Sequence, residues 1–213
     1  MNVDKRAAVT AQLKQAKIIS IIRLDSQCAV KAALACLVEG GITALEITAN
    51  TPGFETEISA ARKTYPKLLI GAGTITNPHL AKLAIAAGAQ FLVTPNTEKS
   101  VIDYAHQFDV PVVMGALTPT EIAKAVEFSA DIVKLFPAGN LGVSYLNSIK
   151  GPFKKVSFFA VGGINLDNIQ DWMNAGVMGV GVGNDLTQSV FNETDRVRLV
   201  ERVKSYVAAV SEY

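Results

Sequence analysis

Short apolar runs rich in β-branched residues alternate with alanine-rich helical patterns along nearly the whole chain, one pair about every 20 to 25 residues. The runs cover 17–23 (KIISIIR), 42–48 (ITALEIT), 68–74 (LLIGAGT), 90–94 (QFLVT), 111–115 (PVVMG), 131–136 (DIVKLF), 156–161 (VSFFAV) and 177–182 (VMGVGV). Helical patterns fall between them, for example at 29–39, 55–64, 78–87, 99–107, 121–127 and 166–174. Such an alternation points to parallel βαβ units, in which each helix carries the chain back to the end of the sheet where the preceding strand began. Eight such units predict an α/β fold closed as a (β/α)8 TIM barrel, whose usual size of about 250 residues lies a little above the 213 found here. The doubly wound open sheet is the alternative, but the first strand runs into Arg23 and LDSQ and not into a glycine fingerprint. A short amphipathic helix over 4–16, with Asp4 as its N-cap, precedes the first strand, and a longer one after Asn192 closes the outer ring. No linker interrupts the pattern, so residues 1–213 are expected to form one domain.

Charge narrows the partners. With 20 basic and 19 acidic residues, a formal net charge of +1 and no basic run, the chain offers no electrostatic case for nucleic acid or an anionic membrane. An anionic ligand must then be held locally. No apolar run reaches membrane-spanning length without charges, and the first residues lack the apolar core of a signal peptide, so a soluble, unexported, cytoplasmic protein is expected. Cys28 and Cys36, about two turns apart on one helical pattern, are too far apart to bridge and read as reduced packing residues. His79 and His106 fall on helices, Trp172 reads as packing, and no cluster has metal-ligand spacing, so no metal is expected.

Chemistry in a (β/α)8 barrel sits at the carboxyl ends of the strands, which makes polar residues there informative. Lys134 lies inside the apolar run IVKLF. Desolvation disfavours its ammonium, leaving more of the nucleophilic amine that a Schiff base requires. Alternatively, its stem packs at the strand end while the charge reaches water or a carboxylate. Glu46, between Leu45 and Ile47, shares the inward face with Ala44 and Thr48. A carboxyl there has a raised pKa suited to acid/base work, or forms a structural ion pair with Lys134 or Arg23. Arg23 reads as a buried-strand arginine that binds a substrate carboxylate, orients Glu46 or lies at the rim. Gly71 and Gly73 admit close approach at the mouth or serve packing, and Thr74 offers a hydroxyl. Gly162 and Gly163 follow the seventh run, before a helix that Asn165 is expected to cap. Gly181, Gly183 and Asn184 follow the eighth, before a helical start at Asp185. Their backbone N–H groups suit a phosphate, as barrels frequently hold one after strands seven and eight.

In order along the chain, EITANTP, GAGT, VTPN, MGALTPTE, VKLFPAG, GP, AVGGIN and GVGNDL resemble the motifs of the 2-keto-3-deoxy-6-phosphogluconate / 4-hydroxy-2-oxoglutarate aldolase family. The resemblance implies a class I aldolase that cleaves a 2-oxo-4-hydroxy acid to pyruvate and glyceraldehyde 3-phosphate or glyoxylate. It implies Lys134 as the Schiff-base lysine and Glu46 as general acid/base. It further implies a pyruvate pocket lined by Arg23, Thr74, Pro95 and Phe136, and a phosphate held around Gly162, Gly163, Gly183 and Asn184. The resemblance also implies Asn50 and Val161 as substrate-binding residues; they stand where many phosphogluconate-specific members carry arginine and threonine, which resembles the 2-dehydro-3-deoxy-6-phosphogalactonate branch, and Asn184 stands where serine is common. The family implies a homotrimer acting on a small-molecule substrate. No metal or organic cofactor is expected, because the lysine itself creates the electrophile. Two other readings of the same residues remain: a phosphosugar isomerase or synthase with Glu46 as base and Lys134 as electrostatic stabiliser, and a non-catalytic phospholigand-binding barrel.

Overall fold

The structure is a computed structural model and describes residues 5–188 and 190–213. The expected Asp4 cap lies outside the described residues. The strands are β1 (Ile18–Ile22), β2 (Ala44–Thr48), β3 (Leu69–Gly73), β4 (Leu92–Val93), β5 (Val112–Ala116), β6 (Ile132–Leu135), β7 (Phe158–Val161) and β8 (Gly179–Val182). They pair in sequence order, all parallel, and β8 returns to β1 to close the barrel. The helices are α1 (Lys5–Ala16), α2 (Gln27–Glu39), α3 (Phe54–Thr64), α4 (Pro78–Ala86), α5 (Lys99–His106), α6 (Pro119–Glu127), α7 (Gly142–Lys150), α8 (Ile169–Asn174) and α9 (Glu193–Ser211). The chain is therefore a (β/α)8 TIM barrel with an additional N-terminal helix.

Strand alternation divides the apolar side chains into two cores. Ile22, Leu45, Ile47, Val133 and Leu135 face outward and pack beneath the helices. Ile19, Ala44, Leu69, Phe91, Val93, Val113, Ile132 and Phe159 fill the barrel itself, with Val9 and Leu13 of α1 in the same cluster. Large inner side chains fit because glycines face them. A Cβ on Gly71 would approach Phe91 to 2.5 Å, and one on Gly179 would approach Phe159 to 2.6 Å. Asp131 fastens the amino-terminal end of the barrel. Its carboxylate accepts the Val112 N–H at 2.8 Å, meets His106 Nε2 at 3.0 Å and pairs with Arg6 of α1 at 3.4 Å.

Several boundaries differ from the sequence reading. β4 keeps only Leu92 and Val93 because side chains enter the ladder on both flanks: Ile70 N–H donates to Gln90 Oε1, and Gly115 N–H to Thr94 Oγ1. α7 is not among the helices that the pattern picks out, since Gly142, Val143, Ser144 and Asn147 give it a weak helical composition. α8 begins at Ile169 after a turn, so Asn165 caps that turn, accepting the Asp167 N–H at 3.0 Å, and not the helix. The helical start expected at Asp185 is a turn closed on the Gly183 carbonyl, and Gly181 lies within β8 instead of following it. Trp172 and Cys36 are buried, whereas Cys28 is exposed on the outer face of α2 and does not pack. Among the described residues, no helix is long and apolar enough to cross a membrane.

Candidate active site

β6 turns Lys134 into the barrel because its neighbours Val133 and Leu135 take the outward positions. Beside it in register are Gly115 on β5 and Phe159 on β7. Lys134 is only 5% exposed, and its Nζ lies 4.7 Å from the centre of the Phe136 ring. Burial pushes the amine below its ordinary range; the Glu46 carboxylate raises it in part, and the Arg23 charge lowers it further.

β2 directs Glu46 into the same space. Its register partners are Ile21 on β1 and Gly71 on β3, and it is 2% exposed. The carboxylate lies against Gly73, where a Cβ would collide with Oε1. Of the two glycines left open by the sequence, Gly73 therefore makes room for Glu46, and Gly71 makes room for Phe91. Burial pushes the Glu46 carboxyl up, while the charges of Lys134 and Arg23 pull it down. Among the described residues, Lys134 and Glu46 form neither an ion pair nor a hydrogen bond with each other. The structural ion pair considered from the sequence is thus not made, and both groups face a cavity of about 370 Å³.

Arg23, Thr74, Pro95 and Phe136 line that cavity. Arg23 departs from the buried-strand reading. It follows the last residue of β1 and is exposed at the rim, because Thr48 and Thr51 hydroxyls donate to the Ile22 carbonyl and end the strand there. Its Nη2 donates to Thr74 Oγ1 at 3.5 Å, and Thr74 holds a left-handed backbone with φ of 58°. Asn50 also departs from expectation: it is exposed on the turn after β2 and does not line the cavity. Sequence reasoning missed four lining residues, Ile21, Ile164, Asn165 and Asp185. Alternation from Ile19 could have found Ile21; the other three lie on irregular loops that carry no periodic signal.

The far side of the cavity is formed by Val161, Gly162, Gly163, Gly183 and Asn184. Gly162 and Gly163 have φ of 88° and 77°, values that favour glycine. The loop after β6 presses against them, with Gly139 N–H donating to the Gly162 carbonyl at 2.7 Å. The backbone N–H groups of Gly163, Ile164, Asn184 and Asp185 find no acceptor among the described residues. Two adjoining loops with free amides can receive an anion without a lysine. Among the described residues, no group of three or more His, Cys, Asp or Glu side chains could hold a metal ion. The cavity thus sets a depressed amine and a raised carboxyl beside an arginine at one end and open amides at the other. Such an arrangement can attack a ketone, move protons and hold two separate anionic groups.

A family model described as KDPG and KHG aldolase matches residues 9–203. The chain is 34% identical over 198 residues to the 2-dehydro-3-deoxy-6-phosphogalactonate aldolase of Escherichia coli K12, covering 91% of this chain and 96% of that protein. It is 33% identical over 202 residues to the 2-dehydro-3-deoxy-phosphogluconate aldolase of Pseudomonas aeruginosa, with 94% and 91% covered. A solved structure of KDPG aldolase from Legionella pneumophila, with pyruvate captured at low pH as a covalent carbinolamine intermediate, superposes with a TM-score of 0.79. The identity is 25%, and 94% of this chain and 96% of that one are covered.

Proposed function

Because the chain belongs to the KDPG and KHG aldolase family of lyases, we propose that it cleaves a phosphorylated 2-keto-3-deoxy sugar acid with Lys134 as Schiff-base nucleophile and Glu46 as general acid/base. The observation that carries this reading is the pair itself: two buried, oppositely ionisable groups that share one cavity without closing into an ion pair. A binding protein gains little from such groups, whose burial opposes folding. An isomerase would use Lys134 as a charged electrostatic stabiliser, whereas burial pushes this amine toward its neutral form.

In this scheme the neutral Lys134 amine adds to the C2 ketone. Glu46, directly or through a water, protonates the departing hydroxyl as the carbinolamine becomes an iminium, which then serves as electron sink. Glu46 next takes the C4 hydroxyl proton; the C3–C4 bond breaks, its electron pair moves into the iminium, and an enamine of pyruvate and an aldehyde result. Protonation at C3 and hydrolysis release pyruvate and the free lysine. Arg23 and Thr74 receive the pyruvate carboxylate at the rim, where the guanidinium is already hydrogen-bonded to the hydroxyl. The Phe136 ring and Pro95 wall the pyruvyl end. The distal phosphate takes the open amides of the loops after β7 and β8. No cofactor enters these steps. The same reading includes a single catalytic domain acting on a small-molecule substrate as a homotrimer in the cytoplasm, which family membership supports.

Substrate stereochemistry rests on Val161. Asn50 is outside the cavity, whereas Val161 is buried in its wall. Many phosphogluconate-specific members carry threonine there; valine withdraws the hydrogen bond that a threonine can give a hydroxyl in the gluconate configuration, which supports the galactonate-derived phosphosugar as the preferred substrate. Pyruvate release from 2-dehydro-3-deoxy-6-phosphogalactonate, 2-dehydro-3-deoxy-6-phosphogluconate and 4-hydroxy-2-oxoglutarate, followed with a coupled dehydrogenase, tests the reading. Val161→Thr is expected to shift the ratio of kcat/KM values toward the gluconate form by about tenfold, the scale of one gained hydrogen bond. An unchanged ratio removes Val161 from the specificity argument.

A further inference from the structure

Among the described residues, no backbone hydrogen bond joins the loop after β7 to the loop after β8. Gly183 forms a single turn, its carbonyl accepting the Leu186 and Thr187 N–H groups at 2.8 and 3.1 Å and the Thr187 hydroxyl at 3.0 Å. Behind it stands Tyr206 of α9, which is fully buried and whose hydroxyl donates to Asp185 Oδ2 at 2.5 Å. The same carboxylate oxygen meets Arg202 Nη1, one helical turn earlier on α9, at 3.2 Å. Burial and Asp185 hold the tyrosine's proton firmly in place. One hydroxyl thus ties the loop after β8, which carries the open amides of Asn184 and Asp185, to α9, and Tyr206 does not itself line the cavity.

We propose that Tyr206, through Asp185, is a positioning residue that fixes the loop after β8 against α9 and thereby the affinity for the distal phosphate of the substrate. Arg202 neutralises the Asp185 carboxylate, which otherwise stands beside an anion. The inference rests on the phosphate reading of the preceding subsection. It separates the two ends of the cavity: pyruvate reaches only Lys134, Arg23 and their neighbours, whereas the phosphorylated sugar acid also needs the loops.

Tyr206→Phe removes the hydroxyl and keeps the buried ring. The full chain is assayed with 2-dehydro-3-deoxy-6-phosphogalactonate, with its unphosphorylated counterpart, and for borohydride trapping of pyruvate. The expected result is a rise of about tenfold in KM for the phosphorylated substrate. The KM for the unphosphorylated one, kcat and the trapping rate remain near wild type. Equal change in all readouts marks a general structural role and overturns the proposal, as does an unchanged KM in a wild type that prefers the phosphorylated substrate. A wild type without that preference removes the phosphate site and the proposal with it. If Tyr206→Phe does not fold, Asp185→Ala, at a position whose side chain is 38% exposed, must lower the preference for the phosphorylated substrate; an unchanged preference overturns the proposal.

Discussion

With Lys134 replaced by alanine, pyruvate release falls by at least about 10⁴-fold, the scale seen when a nucleophile is removed from residues that act as a unit. The thermal midpoint does not fall with it. An amine that titrates lower in the fold than in the unfolded chain works against folding most strongly below its folded pKa, and this cost fades as pH rises toward its unfolded value. Removing Lys134 relieves that cost, which offsets the packing lost with its stem. Steady-state pyruvate assays together with thermal denaturation near neutral pH check both halves. Turnover within tenfold of wild type would contradict the Schiff-base role, and global unfolding would assign the lysine to the architecture.

Glu46→Gln lowers kcat by about 10² to 10⁴-fold, the range for loss of a positioned acid/base. Its size and hydrogen-bonding capacity are retained, so the carboxamide still fits against Gly73. Wild-type trapping rates respond to both ionisations of the pair, which belong to the two groups jointly. In Glu46→Gln only Lys134 remains, and the rate of pyruvate trapping rises with pH through a single ionisation. Its midpoint moves down, since the Glu46 carboxylate is the group that raises the Lys134 amine. A pH series of single-turnover trapping rates measures this. A midpoint that moves up, or a kcat unchanged by the substitution, would leave Glu46 without its assigned work.

The barrel was legible because a parallel sheet buried on both faces leaves continuous apolar runs, and each crossover helix leaves its own period. Lys134 and Glu46 were legible for the opposite reason: each is a charged residue inside such a run, on the face that alternation turns inward. Arg23 was misjudged because propensity does not show where a strand ends. Thr48 and Thr51 terminate β1 by taking the Ile22 carbonyl, and those hydroxyls stand more than twenty residues away. The motif position points Asn50 to the substrate, yet it is exposed on the turn after β2 and is not among the residues that line the cavity. The link from Tyr206 to Asp185 left no trace in any local pattern. It joins a helix to a loop 21 residues earlier through one hydroxyl, and only the closed fold brings the two together.

The most direct test of the central claim is borohydride reduction in the presence of pyruvate, followed by intact mass and peptide mapping. The proposed chemistry predicts one reduced pyruvyl adduct per chain, carried by the peptide containing Lys134 and absent from Lys134→Ala. A folded protein that yields no adduct, or one that carries it on another lysine, would contradict the assignment of Lys134 as the Schiff-base residue.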